Sequence, residues 1–109
     1  MLISTMNDVP GYRVVEVYGE VFGLTIRTRN VASTWGAGFK SLVGGELKGM
    51  TKMLAVGRQE AQSRLIQAAE AKGANAVIAF RFDSSEFAGM GTELCAYGTA
   101  VRVEKIDAQ

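Results

Sequence analysis

A chain of 109 residues with 48% hydrophobic content has the size and composition of a single globular domain, and residues 1–109 are expected to form one unit. A net charge of +1 leaves no electrostatic footprint for nucleic acid or an anionic membrane surface, and the short group Arg27-Thr28-Arg29 is no basic stripe. The absence of histidine removes the commonest general base, metal ligand and pH switch. A single cysteine, Cys95, forms no internal disulfide, so a reducing cytoplasm is the expected compartment.

The opening MLISTMNDVPGYRV lacks the basic region and long apolar run of a signal peptide. No apolar segment reaches the roughly 18 residues that a spanning helix needs, so no membrane partner is expected. Leu2 to Thr5 reads as a short strand, followed by the turn cluster Asn7-Asp8-Val9-Pro10-Gly11. Tyr12 to Phe22 reads as a strand with Val15, Val17 and Val21 on one face and Tyr12, Val14, Tyr18 and Phe22 on the other. Gly19 marks a bulge or a close approach, and Leu24 to Thr28 is a β-branched continuation beyond Gly23. A first helix is predicted over 34–43, capped by Asn30 or Ser33, with Trp35, Phe39, Leu42 and Val43 on one face.

Gly44 and Gly45 then form a joint to a long helix over Glu46 to Lys72. Its apolar or small residues Leu47, Met50, Leu54, Gly57, Ala61, Leu65 and Ala68 recur every three or four positions, which is one helical face. Gly73 takes the position just past the helix end. Ala76 to Asp83 is an apolar strand, with Ala76, Ile78, Phe80 and Phe82 expected against the helix and Val77, Ala79, Arg81 and Asp83 on the other side. Ser84 to Gly91 reads as a loop, and Thr92 to Lys105 as the last strand, antiparallel to the previous one.

The expected fold is therefore α+β: a small antiparallel or mixed sheet with two helices, one long, on one face, in the order strands, helix, helix, strands. Both faces of the strands are partly apolar, and helices on one side cover only one of them. The other face calls for a partner, most simply a second copy of the chain.

The segments GYRVVEVYGEVFG, RTRN, WGAGFKSLVGGELKGMTKML, AKGANAVIAFRFD and AYGTAV, taken together, resemble the YbjQ-like family, also called UPF0145. The resemblance runs from about Ser4 to Val103. It implies a small α+β domain that assembles as a ring-shaped homo-pentamer, in a family of unestablished role that carries the label "putative heavy-metal binding". A divalent or heavy metal ion is accordingly the one cofactor it suggests.

Soft metals take thiolates and imidazoles, usually three or four to a site. Here the donors are Cys95 and the methionines at 50, 53 and 90. Cys95, between Leu94 and Ala96 in a strand, reads first as a small core residue, and as a metal ligand only if symmetry gathers several copies. A hard-metal site could draw on Glu16, Glu20, Asp83, Glu86 or Glu93, carboxylates more often solvated or ion-paired. GGELKGMT, residues 44–51, is a near miss to a P-loop, with Met50 where the lysine belongs and no preceding strand. It leaves at most a weak anion site at the amides of Gly45 and Glu46. No histidine or GxSxG elbow activates a serine or Cys95, so no catalytic residue is assigned and an enzyme is not expected. Trp35 and Phe39 belong to the core or a subunit contact, with a pocket shared with Tyr18 as the alternative. The remaining functional alternative is a small-ligand-binding or enzymatic site at the subunit interface using Glu46, Arg81 and Asp83, within a candidate interface or ligand site that also takes in Gly44 and Gly45.

Overall fold

The computed structural model describes residues 1–28, 45–87 and 91–107, with side chains for 1–27, 52–86 and 91–107. Four strands and one helix follow in chain order: β1 (Leu2–Ile3), β2 (Tyr12–Thr28), α1 (Gly45–Ala71), β3 (Ala76–Phe87) and β4 (Gly91–Lys105). The sheet order is β1-β3-β4-β2. β1 lies parallel to β3, and β4 runs antiparallel to both β3 and β2, so the sheet is mixed.

Two parts of the expected fold are corrected. The two-helix layer becomes, among the described residues, a single helix packed on the sheet, because the helix predicted over 34–43 lies outside them. The ring expected as part of the fold is likewise no part of the architecture, which is that of one chain with one helix over a four-stranded sheet. The loop expected over Ser84 to Gly91 also shrinks. Ser84, Ser85 and Glu86 stay in register with Leu94, Glu93 and Thr92, so polar residues on an exposed strand continue the ladder.

The long helix ends as its sequence calls for. Gly73 adopts φ +88°, the amide of Ala74 donates to Ala69 O at 3.1 Å, and that of Gly73 to Glu70 O at 2.9 Å. These are the paired bonds of a Schellman ending, which only a residue free of a Cβ makes without strain. Gly57, Ala61, Leu65 and Ala69 form the buried stripe. Small residues there let the helix sit very low on β2. A Cβ on Gly23 would run into the backbone at Ala61 and Leu65, and one on Gly57 would meet Leu94 Cδ1 at 2.6 Å.

Val21, Ala61, Leu65, Ala69, Val77, Phe80, Ala96 and Ala100 make the core between helix and sheet. A smaller cluster, Val9, Ala76, Val101 and Val103 with Tyr12 and Ile78, occupies one end of the opposite face, where the N-terminal turn folds over. The rest of that face is open: Val17, Phe22 and Ile26 keep 63%, 59% and 53% of their surface in solvent, beside half-exposed Leu24 and Tyr97.

The strand faces also depart from strict alternation. In β3 the register slips between Ile78 and Arg81, and Ala79 sits at φ +53°. This one-residue bulge rotates the strand, so Val77 joins the helix-side core while Ala76 and Ile78 turn away, and Phe80 and Phe82 return to the helix. In β2, slips between Val14 and Glu16 and between Val17 and Gly19 separate Val17, on the open face, from Val21 beneath the helix. The bulge anticipated at Gly19 is there, at φ +98°.

Candidate functional site

β3 and β4 bring two of the singled-out side chains together. Asp83 is the register partner of Cys95, and Arg81 that of Tyr97. Since Phe82 packs toward the helix, Arg81 and Asp83 belong to the opposite, open face. There Leu24, the register partner of Cys95 on β2, completes a three-strand row: Leu24, Cys95, Asp83.

Cys95 is half-buried, with its thiol 3.8 Å from Ala96 O. Partial burial pushes the thiol above its ordinary range, and the carboxylates of Glu93, Asp83 and Glu20 push it the same way. The thiol is therefore held as a neutral S–H at pH 7, a poor nucleophile and a poor ligand until a cation displaces the proton. The same carboxylates that disfavour a thiolate would favour such a cation.

Arg81 is committed elsewhere. Its guanidinium donates to Thr5 O at 2.7 Å and to Phe80 O at 2.8 Å, fixing the N-terminal segment to the sheet. No ion pair joins it to Asp83 among the described residues. Gly45 and Glu46 open α1, on the other side of the sheet from Asp83 and Cys95. Gly44, Trp35 and Phe39 lie outside the described residues. The side chain of Glu46 lies outside the described ones, so of the alternative interface site from Glu46, Arg81 and Asp83 the structure places only Arg81 and Asp83, which follow one another on the open side of β3. Of the hard-metal candidates, Glu16 is engaged by Arg102 at 3.8 Å and by the Tyr18 hydroxyl at 3.1 Å.

The described residues do not fit a metal centre within a single chain. Among the described residues no three of His, Cys, Asp and Glu converge on a point where an ion could sit. A soft-metal site needs at least three donors, and the Cys95–Asp83 pair supplies two.

Sequence reading missed a polar seam between helix and β2. Glu60 meets Arg27 Nη2 at 2.7 Å and accepts from the buried Thr25 hydroxyl at 3.2 Å. The Arg27 guanidinium holds the Glu60 carboxyl below its usual range. Further along, Arg64 donates to Leu24 O, and Lys72 Nζ to Glu20 O at 3.2 Å. Glu60 and Arg64 stand four apart on the helix, and both side chains reach the strand.

Among the described residues no helix is long and apolar enough to cross a membrane. A YbjQ family model described as "Putative heavy-metal-binding" matches residues 1–104. A UPF0145 protein from Streptomyces coelicolor is 61% identical over 105 residues, covering 96% of this chain and 99% of its own length. One from Acidothermus cellulolyticus is 56% identical over 107 residues, covering 98% and 99%. Among solved structures, a protein of unknown function of the DUF74 family from Pediococcus pentosaceus matches with a TM-score of 0.61 over 95% of this chain and 98% of that one. At 15% identity, that match speaks for the fold alone.

Proposed function

The chain belongs to the YbjQ-like, or UPF0145, family, and on that premise we propose a non-enzymatic cytoplasmic protein that works as a homo-oligomer. The observation that carries this reading is the open sheet face. Val17, Phe22, Leu24, Ile26 and Tyr97 form one apolar surface on β2 and β4, on the side of the sheet away from α1. Exposure of so many large apolar side chains on one face marks an association surface. In this reading copies of the chain cover it for one another, and the family resemblance supports five of them.

Heavy-metal binding, in this reading, is a property of the assembly. Each copy contributes the Cys95–Asp83 pair, and donors from neighbouring copies complete a site that one chain lacks. Gathering several thiols around one ion would also lower each thiol through the cation's charge and so offset the carboxylates around Cys95.

Sedimentation velocity is the test of association: the expected species has about five times the 11.7 kDa mass of the chain, and a stable monomer at micromolar concentration overturns the reading. Titration with zinc, copper and nickel tests the metal. Binding by the oligomer that is lost in Cys95→Ala supports it, and binding unchanged in that variant removes the thiol from the site.

A further inference from the structure

We infer that helix α1 guards the outer edge of β2 against strand addition from a second copy of the chain. Among the described residues β2 is an edge strand, paired with β4 on one side only, and at 17 residues it is the longest strand in the sheet. It contains no proline and is rich in valine, threonine and aromatic residues. An edge of this kind presents a row of free amides and carbonyls, a template for another strand.

Two devices interrupt that row, and they divide the strand between them. The first half, from Tyr12 to Gly19, is broken by the two register slips, and a bulged backbone cannot continue a ladder. The second half, from Gly19 to Thr28, is regular and needs another kind of protection. It is here that the helix reaches over. Lys72 donates to the carbonyl of Glu20, and Arg64 to that of Leu24. In a regular strand, carbonyls four residues apart point the same way, and a side-chain partner in place of a β4 amide marks these two as belonging to the free flank. The spacing fits: eight helical residues rise roughly 12 Å at 1.5 Å each, and four strand residues roughly 13 Å at 3.3 Å each. Two cations, Arg64 on α1 and Lys72 just past its end, therefore stand over two carbonyls on the edge. An incoming strand would have to displace both and bring its own backbone against two positive charges. This guard acts on an edge, and is independent of the open face through which association is proposed above.

The test is the double variant Arg64→Met/Lys72→Met, which keeps helix propensity and side-chain length but removes both donors. The expected result is growth, with time and concentration, of species several-fold heavier than the parent's by sedimentation velocity, accompanied by increased thioflavin T fluorescence. Arg64→Lys/Lys72→Arg, which keeps both cations, should retain the parent's size distribution. Should the double methionine variant lose its helix by circular dichroism, Lys72→Met alone is read in the same way, since it opens one end of the row. A folded methionine variant that keeps the parent's size distribution overturns the inference, as does equal growth in the charge-retaining variant.

Discussion

The two faces of the sheet are built from the same strands and the same kinds of residue, yet Val21 is 3% exposed and its neighbour Phe22 is 59% exposed. The difference is what lies above them. On one side α1 settles onto β2 because Gly23 has no side chain to hold it off. On the other, the N-terminal turn covers only the end around Val101 and Val103. Apolar character alone therefore does not identify core in this chain. It identifies surface that must be covered, and among the described residues one sheet face meets its cover while the other does not.

The comparison is broken most forcefully from the covered side. Leu65→Ala removes a fully buried side chain from the helix-side core and is expected to cost about 2–5 kcal/mol by urea denaturation. Gly23→Ala attacks the closeness of the two layers. Its Cβ has nowhere to go but into the helix backbone, and a loss of about 1–3 kcal/mol or more is expected. Phe22→Ser, on the open side, should change the stability of the dilute chain by no more than about 0.5 kcal/mol while weakening its sedimentation as an oligomer. A loss in the dilute chain as large as that of Leu65→Ala would end the distinction between the faces. The smallest effect concerns the seam. The Glu60 carboxyl is held below its ordinary range chiefly by the Arg27 guanidinium. A carboxyl depressed in the folded state stabilises above its unfolded pKa and loses that contribution as pH falls through the folded one. Glu60→Gln should therefore lower the melting temperature slightly at pH 7 and flatten its decline toward acid pH, where the two proteins converge; an identical pH dependence in the two proteins would show that the pair contributes nothing.

The sequence made the helix legible nearly residue by residue. Its small-residue stripe, its glycine stop at Gly73 and its length all follow from local chemistry. The hairpin pairing of β3 with β4 and the two faces of β4 were legible for the same reason, since β4 alternates without interruption. The faces of β2 and β3 were not. Alternation assigns sides only while the register holds, and β3 slips at Ala79, where nothing in AVIAF signals a left-handed backbone. The compensating feature lies on another strand. Gly98 stands across from the slip, and a Cβ there would meet Val77 Cγ1 at 2.6 Å and Ile78 O at 2.9 Å. A single sequence does not say that positions 79 and 98 are partners. The Cys95–Asp83 pair was hidden similarly, because it requires the register of the hairpin. The contacts of Glu60, Arg64 and Lys72 were hidden because exposed helix charges look alike until the strand edge beside them is placed.

The bulge at Ala79 has a further consequence, for the order of events in folding. Turned out of its ladder with β4, the Ala79 amide donates to Met6 O at 2.7 Å, while the Phe80 amide bonds Ser4 O and the Ser4 amide bonds Val77 O. Arg81 closes the set by gripping Thr5 O, a partner 76 positions away in the chain. Contacts that span so much sequence carry the largest loop-closure entropy, and they become available only after β3 and β4 have set the register that creates the bulge. Residues 2–8 are thus expected to seat last when the chain folds and to lift first when it breathes, with their amides exchanging with solvent well before those of β4.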